Sequence, residues 1–355
     1  MDSSWTLRNV RSRAPLRLGI GGGGTDLASY SDLHGGVVLN ATIDRYAYAH
    51  VTLGTGNHIE FKADDLQSEE RLPCHLDFEI REGLVLHRAV YRHMMLAFND
   101  GRALPMTITT TIDVPAGSGL GASSALTVAL IEAFTHAMQL PLGPYEIARL
   151  AFDIERRQLG MAGGMQDQYA AAFGGFNFME FLPGAAGVIV NPLRLRRSVL
   201  NEFESALVIC FSGQSRQSAN IIEQQVGGIS RTDEATMQAM HRIKEYALNM
   251  KARIIAGDIR GLAEVLKESW LAKKQTAKAI STGTVDTLLE VAMDAGAWAG
   301  KVSGAGGGGF IMLLTDPERR LDLIRKLNAA GGEASAVKLT FEGAEAWTVP
   351  DPMSR

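Results

Sequence analysis

A chain of 355 residues, 46% hydrophobic and 21% charged, has the composition of a folded globular protein with room for two domains or two lobes. Its net charge of −4, with no run of Lys and Arg, argues against nucleic acid or a membrane surface as partner. The two cysteines, Cys74 and Cys210, are far apart and outside any CxxC, which argues against a disulfide framework or a cysteine zinc site. The N-terminal stretch has no apolar signal-peptide core and no segment has the length of a membrane span, so a cytoplasmic location is expected.

In chain order, RSRAPLRLGI reads as a strand that enters the glycine run GIGGGGTD (Gly19–Asp26). GGVVLNATI and RYAYAHVTL read as two more strands, the second alternating large and small residues from Tyr46 to Val51. LVLHRAVYRHMMLAF has helical apolar spacing. MTITTTIDV alternates as a strand does; the loop PAGSGLGASS follows, and ALTVALIEAFTHAM continues as a helix. PYEIARLAFDIERRQL and MQDQYAAAF are helical, whereas GGFNFMEF is most simply core. The second half opens with ALVICF as a strand, then a helix-rich block from about Gln217 to Ala295. AGKVSGAGGGGFIMLLT, a helix near Pro317 to Leu327 and a strand near Ala334 to Thr340 close the chain. The composition changes near residues 190 to 205, giving expected lobes of 1–195 and 196–355.

Three glycine clusters carry the chemistry: Gly19–Asp26, Pro115–Ser124 and Ser303–Gly309. Glycine lets backbone amides approach and turn toward a ligand, and a helix N-terminus adds free N–H groups, so such loops suit phosphate. The middle cluster fails the Walker A pattern, because Ala122, Ser123 and Ser124 follow its glycines and no lysine does. It does match GxGxxA, from Gly117 to Ala122. A dinucleotide fold, however, needs a second strand ending in an acid about 20 residues on, where this chain offers two helices. The polyphosphate of a nucleoside triphosphate is the better reading.

In order and content the three clusters resemble those of the GHMP small-molecule kinases: an N-terminal substrate motif, a PxxxGLGSSA-like ATP loop and a C-terminal glycine-rich motif. The resemblance covers nearly the whole chain, and RAPLRLGIGGGGTDL with HGGVVLNATI looks closest to the branch of D-glycero-D-manno-heptose 7-phosphate kinases. It implies an α+β fold of two lobes, a ribosomal-protein-like β-α-β lobe and a ferredoxin-like lobe, with the active site in the cleft between them. It also implies ATP and Mg2+ as cofactors, a sugar phosphate as substrate, and a product on the way to nucleotide-activated heptose for surface polysaccharide. A homodimer is a further expectation.

Under this resemblance the ATP loop is Pro115, Gly117, Ser118, Gly119, Leu120, Gly121, Ala122, Ser123 and Ser124. Mg2+ falls to Ser123 and Glu155, with Ser124 one register away as the alternative ligand or a simple helix N-cap. In IERRQLGMAGGMQDQ, Asp167 takes the place of the catalytic base, and a capping aspartate at a helix start is the plain alternative. Arg17, following Ala14-Pro15, is placed beside the transferring phosphoryl group, which a guanidinium can grip with two N–H groups.

The substrate side is assigned to Gly23, Gly24, Thr25 and Asp26, to the turn Gly163-Gly164, and to Gly306 and Gly307 of the third cluster. Galactokinases have a Glu-His pair where Gly23 and Gly24 stand, so this chain has room for a larger sugar or a substituent. Arg216, in a serine-rich turn, is the candidate for a phosphate already on the sugar. Lys273 and Lys274 read as a solvated helix face, with one reaching a phosphate as the lesser reading. Another sugar kinase, for fucose or a free hexose, and a non-catalytic sensor of the same fold are the alternatives. A sensor would not need Arg17, Asp167, Glu155 and Ser123 together.

Overall fold

Two sheets, each with a glycine cluster at the end of one of its strands, both contribute residues to one cleft. The computed structural model describes residues 9–350 apart from 186, 214–217, 231–232 and 278–279. The first half runs β1 (Asn9–Gly21), α1 (Ala28–His34), β2 (Gly36–Leu53), β3 (His58–Ala63), β4 (Ser68–Pro73), α2 (Val85–Phe98) and β5 (Met106–Ile112). It continues with α3 (Ala122–Met138), α4 (Pro144–Phe152), α5 (Gln166–Phe173), β6 (Phe176–Phe181) and β7 (Val188–Pro192). The second half runs α6 (Arg197–Ala206), β8 (Leu207–Phe211), α7 (Ser218–Ser230), α8 (Glu234–Ala256), α9 (Ile259–Lys274) and α10 (Gly283–Asp294). It closes with β9 (Ala297–Val302), β10 (Phe310–Thr315), α11 (Arg320–Ala329), β11 (Glu333–Ser335) and β12 (Glu345–Thr348).

The first sheet has the order β12-β1-β2-β5-β3-β4, with β6 and β7 added beside β2. The second is the antiparallel order β11-β8-β10-β9. The chain changes sheets after Pro192, and β12 then returns to pair with Val10–Arg13 of β1. A single cut at 195 therefore does not describe the tail.

The two strands expected from GGVVLNATI and RYAYAHVTL are one strand of 18 residues, β2. Its first half pairs with β6 and its second with β5, while β1 runs along its other side. The register shifts opposite Pro15/Leu16, so Asp44 and Arg45 bulge out of the ladder. That bulge is the polar interruption that looks like a strand break in the sequence. GGFNFMEF, expected simply as core, contains β6.

Helix α3 is apolar all round and almost wholly buried, packed on β1 and β2 and flanked by α2, α4 and α5. It is the central post of the first lobe, and its N-terminus opens onto the cleft directly after the middle glycine loop. The second lobe has its own core, including Val208, Leu288, Ile311, Leu313 and Leu323.

Candidate active site

Arg17 lies on β1 with its side chain 4% exposed, and it ties the three glycine clusters together. Its Nη2 and Nε lie 2.6 and 2.7 Å from Asp167 Oδ1. Its Nη1 donates to the Gly119 carbonyl at 2.7 Å and approaches Ser303 Oγ at 3.4 Å. Its backbone N–H donates to the Leu120 carbonyl. Asp167 is in the first turn of α5 but caps nothing: the N-cap position is Met165, without a side-chain bond, so the capping alternative fails. Nε and Nη2 of Arg17 converge on one carboxylate oxygen, and no described residue bonds the other.

The middle loop turns on three glycines of positive φ, Gly117, Gly119 and Gly121, at 72°, 76° and 76°. This left-handed region is costly for residues with a Cβ, and its repetition at alternate positions turns amides toward one side. Gly119 also has no room for a side chain, since a Cβ would lie 2.6 Å from the Ser303 carbonyl. The loop lies against the third cluster, which braces it: Phe310 N–H donates to the Ser118 carbonyl. Gly117, Ser118, Gly119, Gly121, Ala122 and Ser123 line the cleft. Pro115 precedes this stretch, Leu120 is buried in the core, and Ser124 is buried beneath the cleft floor.

Beyond α4 the helix continues as a π-helical segment, Asp153–Gln158, a departure that recurs at functional sites. It places Glu155 fully buried beneath that floor. Ser124 Oγ donates to Glu155 Oε2 at 2.8 Å and Thr127 Oγ1 to Oε1 at 3.2 Å, with Gln168 Nε2 in contact as well. Burial pushes the Glu155 carboxyl up, opposed by Arg156, Gln168 and Ser124. Ser124 is thus a partner of Glu155 and not the helix N-cap, a position held by Gly121. Ser123 is exposed on the cleft and has no bond to Glu155. The donors fit Mg2+ in kind, since all are hard oxygens. No group of three or more His, Cys, Asp or Glu that could hold a metal ion occurs among the described residues, so such an ion would take much of its shell from phosphate and water, as Mg2+ commonly does.

At the far side of Arg17, Asp26 is buried and accepts three N–H groups: Gly24 N at 3.0 Å, Gln166 N at 3.1 Å and Gln166 Nε2 at 3.0 Å. A carboxylate has about four acceptor sites, which leaves capacity for a hydroxyl. The backbone of Gly164 presses against it so closely that a Cβ there would lie 2.0 Å from Asp26 Oδ2. Gly23, Gly24, Asp26, Gly163 and Gly164 line the cleft. Thr25 does not: its Oγ1 bonds the carbonyls of Gly22 and Val37 and pins the turn. Nor do Gly306 and Gly307, which pack on Ile280, with Gly307 N–H donating to its carbonyl at 2.7 Å. Gly304 and Ala305 are the cleft residues of that cluster. Arg216 lies outside the described residues.

Two lysines correct the sequence reading. Lys273 is not on a solvated face: it is 7% exposed, lines the cleft and donates to the Gly23 carbonyl at 2.7 Å. Its neighbour Lys274 points away to Asp286 at 2.8 Å. Lys301, which the sequence reading passed over, is 8% exposed, lines the cleft and donates to the carbonyls of Gly19 and Ile20. Burial pushes Lys273 down to about 8 and Lys301 to about 7; Asp26 opposes the first shift, and Lys273 and Arg17 add to the second. The available signal for Lys301 was its place two residues before the third cluster.

The whole cleft holds about 700 Å³. Its other end is apolar, lined by Ala63, Leu66, Leu84, Leu86 and Ile112, with the buried, neutral His87 bonded to Thr110 Oγ1 at 2.8 Å. Burial drops the His87 imidazole to about 4. One cleft thus joins an apolar chamber, a glycine cradle and a polar chamber, with an arginine–aspartate pair at the junction. That is the layout of a phosphotransferase that brings a nucleotide and an alcohol together.

Comparison with known proteins assigns the family. The chain matches the GHMP kinases N terminal domain over residues 85–175 and the GHMP kinases C terminal domain over residues 250–333. The D-glycero-alpha-D-manno-heptose 7-phosphate kinase of Campylobacter jejuni is 39% identical over 349 residues, covering 97% of this chain and 100% of that protein. The crystal structure of a D-glycero-D-manno-heptose 1-phosphate kinase from Bacteroides thetaiotaomicron superposes with a TM-score of 0.82 at 40% identity, covering 96% of this chain and 100% of that one. The mevalonate kinase of Methanococcus jannaschii, 16% identical with a TM-score of 0.74 over 93% of this chain and 98% of that one, shares the fold. The chain belongs to the GHMP kinase family, with its two-lobed α+β fold, and is an ATP-using phosphotransferase with an alcohol group as acceptor. No helix among the described residues is long and apolar enough to cross a membrane.

Proposed function

We propose that this kinase transfers the γ-phosphoryl group of ATP to the anomeric hydroxyl of D-glycero-D-manno-heptose 7-phosphate, giving the 1,7-bisphosphate. The observation that carries the substrate is the Campylobacter jejuni relative, which is 39% identical along its full length. The open pocket over Gly23 and Gly24 agrees with a large sugar. The apolar chamber would take the nucleoside and the loop from Gly117 to Ser123 the polyphosphate. Asp26 would accept sugar hydroxyls.

Chemistry of this kind needs alignment and charge neutralisation more than covalent help. Arg17 fixes Asp167 through Oδ1 and leaves Oδ2 to receive the hydroxyl proton. As that proton leaves, the sugar oxygen bonds to the γ-phosphorus, the bond from phosphorus to the β-bridging oxygen breaks, and ADP departs with the electron pair. With Nη1 held by the Gly119 carbonyl, the second N–H of Arg17 Nη2 would face the phosphoryl oxygens. Mg2+, held by Ser123 and Glu155, would supply further neutralisation of the phosphates. Glu155 is poised for this by Ser124 and Thr127, whose hydroxyls fix its two oxygens.

The test is a panel of heptose 7-phosphate, free heptose, fucose, galactose and mannose with ADP release as readout, and phosphorus NMR of the product to locate the new ester. Turnover of heptose 7-phosphate well above the others, at the anomeric position, is expected. Fucose or a free hexose as the best substrate overturns the assignment.

A further inference from the structure

Lys273 poses a problem that the transfer chemistry does not solve. Its ammonium is buried at the last turn of α9, yet no described carboxylate lies within ion-pair distance. Its one described bond is to the Gly23 carbonyl. An ammonium has three N–H donors, so two are left to point elsewhere. Taking a charge out of water without a counter-charge is costly, and such groups normally acquire one. Asp26 is the acid whose field reaches it, but three N–H groups already occupy that carboxylate. Arg17 and Lys301 repel Lys273. A side chain at Gly24 would meet the Lys273 ammonium, the methyl group of Met240 and the amide of Gln225, so these three groups converge beside Gly24, and Gln225 is itself bonded to Thr276. Gln225 and Lys273 both line the cleft beside Gly23 and Gly24, the positions where small residues open the sugar chamber.

We propose that Lys273 is the specificity residue that binds the phosphate already carried by the sugar. This rests on the substrate reading above. The anion would bring the missing counter-charge, and it would do so at the sugar chamber beside Asp26. Lys301 is not a rival for this role: its bonds to Gly19 and Ile20, at the end of β1, keep it at the base of the cleft. Lys274 is already paired with Asp286.

The test compares kcat/KM for heptose 7-phosphate and for free heptose in wild type, Lys273→Met and Lys273→Arg. A charge-assisted phosphate contact corresponds to about 10- to 100-fold in kcat/KM. The Met variant is therefore expected to lose that factor on the phosphorylated sugar, chiefly in KM, and at least ten times less on the free sugar. The Arg variant should recover part of the loss. Because the binding form is the protonated one, KM for the phosphorylated sugar should climb above about pH 8 in wild type and stay flat in the Met variant. Inorganic phosphate at saturating ATP should compete with the phosphorylated sugar in wild type and do so at least tenfold less well in the Met variant.

A wild-type preference for the phosphorylated sugar that survives in Lys273→Met overturns the inference and leaves the substrate assignment standing. Equal loss on both sugars assigns Lys273 to holding the Gly23 carbonyl and overturns it too. A wild type indifferent to the sugar phosphate overturns the substrate assignment itself, and unchanged competition by inorganic phosphate then sinks the anion site independently.

Discussion

Arg17 and Asp167, 150 residues apart in the chain, meet at a single carboxylate oxygen, Nη2 at 2.6 Å and Nε at 2.7 Å from Oδ1. The same guanidinium holds the Gly119 carbonyl, so the aspartate, the phosphate loop and the first glycine motif share one anchor. Asp167 is therefore aimed by its partner, and its free oxygen is the one that would meet the acceptor.

Asp167→Asn keeps the size and removes the charge. Turnover is expected to fall at least about 10²-fold, the scale of a lost acid–base group, with ATP affinity kept. Steady-state kinetics with a parallel nucleotide titration checks this. Near-normal turnover would reduce Asp167 to an anchor for Arg17.

The metal assignment separates two adjacent serines. Ser123 faces the cleft, whereas Ser124 holds Glu155 from below. Glu155→Gln and Ser123→Ala should each raise the Mg2+ concentration for half-maximal rate by about tenfold or more, in keeping with loss of a ligand or its support. Ser124→Ala should raise it less, because Thr127 and Gln168 still position the carboxylate. The reverse order in a Mg2+ titration would make Ser124 the ligand.

Gly164 has backbone in ordinary territory, and contact alone forbids a side chain there. In Gly164→Ala the new methyl group would displace the Asp26 carboxylate and break its bonds to Gln166. KM for the sugar should rise tenfold or more while KM for ATP changes little. An equal rise in both would mean that the damage spreads to the nucleotide chamber.

Stability should also carry the signature of the buried lysines. Burial lowers Lys301 in the folded chain to about 7, below its unfolded value of about 10.5. Below pH 7 both states are protonated and the burial penalty is fully present. As pH rises from 7 toward 10.5 the unfolded chain binds more protons, so this group makes the protein more stable. Between pH 6 and 9 the wild type should therefore gain on the order of 1–3 kcal/mol more unfolding free energy than Lys301→Met. Denaturant melts of both proteins across that range read the difference, and parallel curves would place the titration elsewhere.

The sequence by itself determined the local devices. The three glycine loops are short, contiguous and chemically constrained, and a loop that alternates glycine with other residues before an apolar helix announces an amide cradle wherever the chain goes. The spacing from Arg17 to Asp26 and from Glu155 to Asp167 is likewise local, set within single strand–turn and helix–turn units. The apolar run after Ser124 had to be buried on all sides, which made α3 the central post.

Tertiary structure decided what depends on two distant segments meeting. Residues 36–53 read as two strands because their polar bulge is visible in sequence, while the neighbours β5 and β6 that make them one strand are not. Ser124 looked like a helix cap until the π-helical turn brought Glu155 beneath it. Gly306 and Gly307 looked like ligand glycines, but packing on Ile280 turned them from the cleft and left Gly304 there. Lys273 carried no signal in its own surroundings and Lys301 only its place before the third cluster, since a lysine is normally solvated. Only the closure of the second lobe over Gly23 and Gly19 buried them. A periodic or glycine-rich stretch encodes its own backbone, but the burial of a charge is set by whatever packs on top of it, and that partner lies hundreds of residues away.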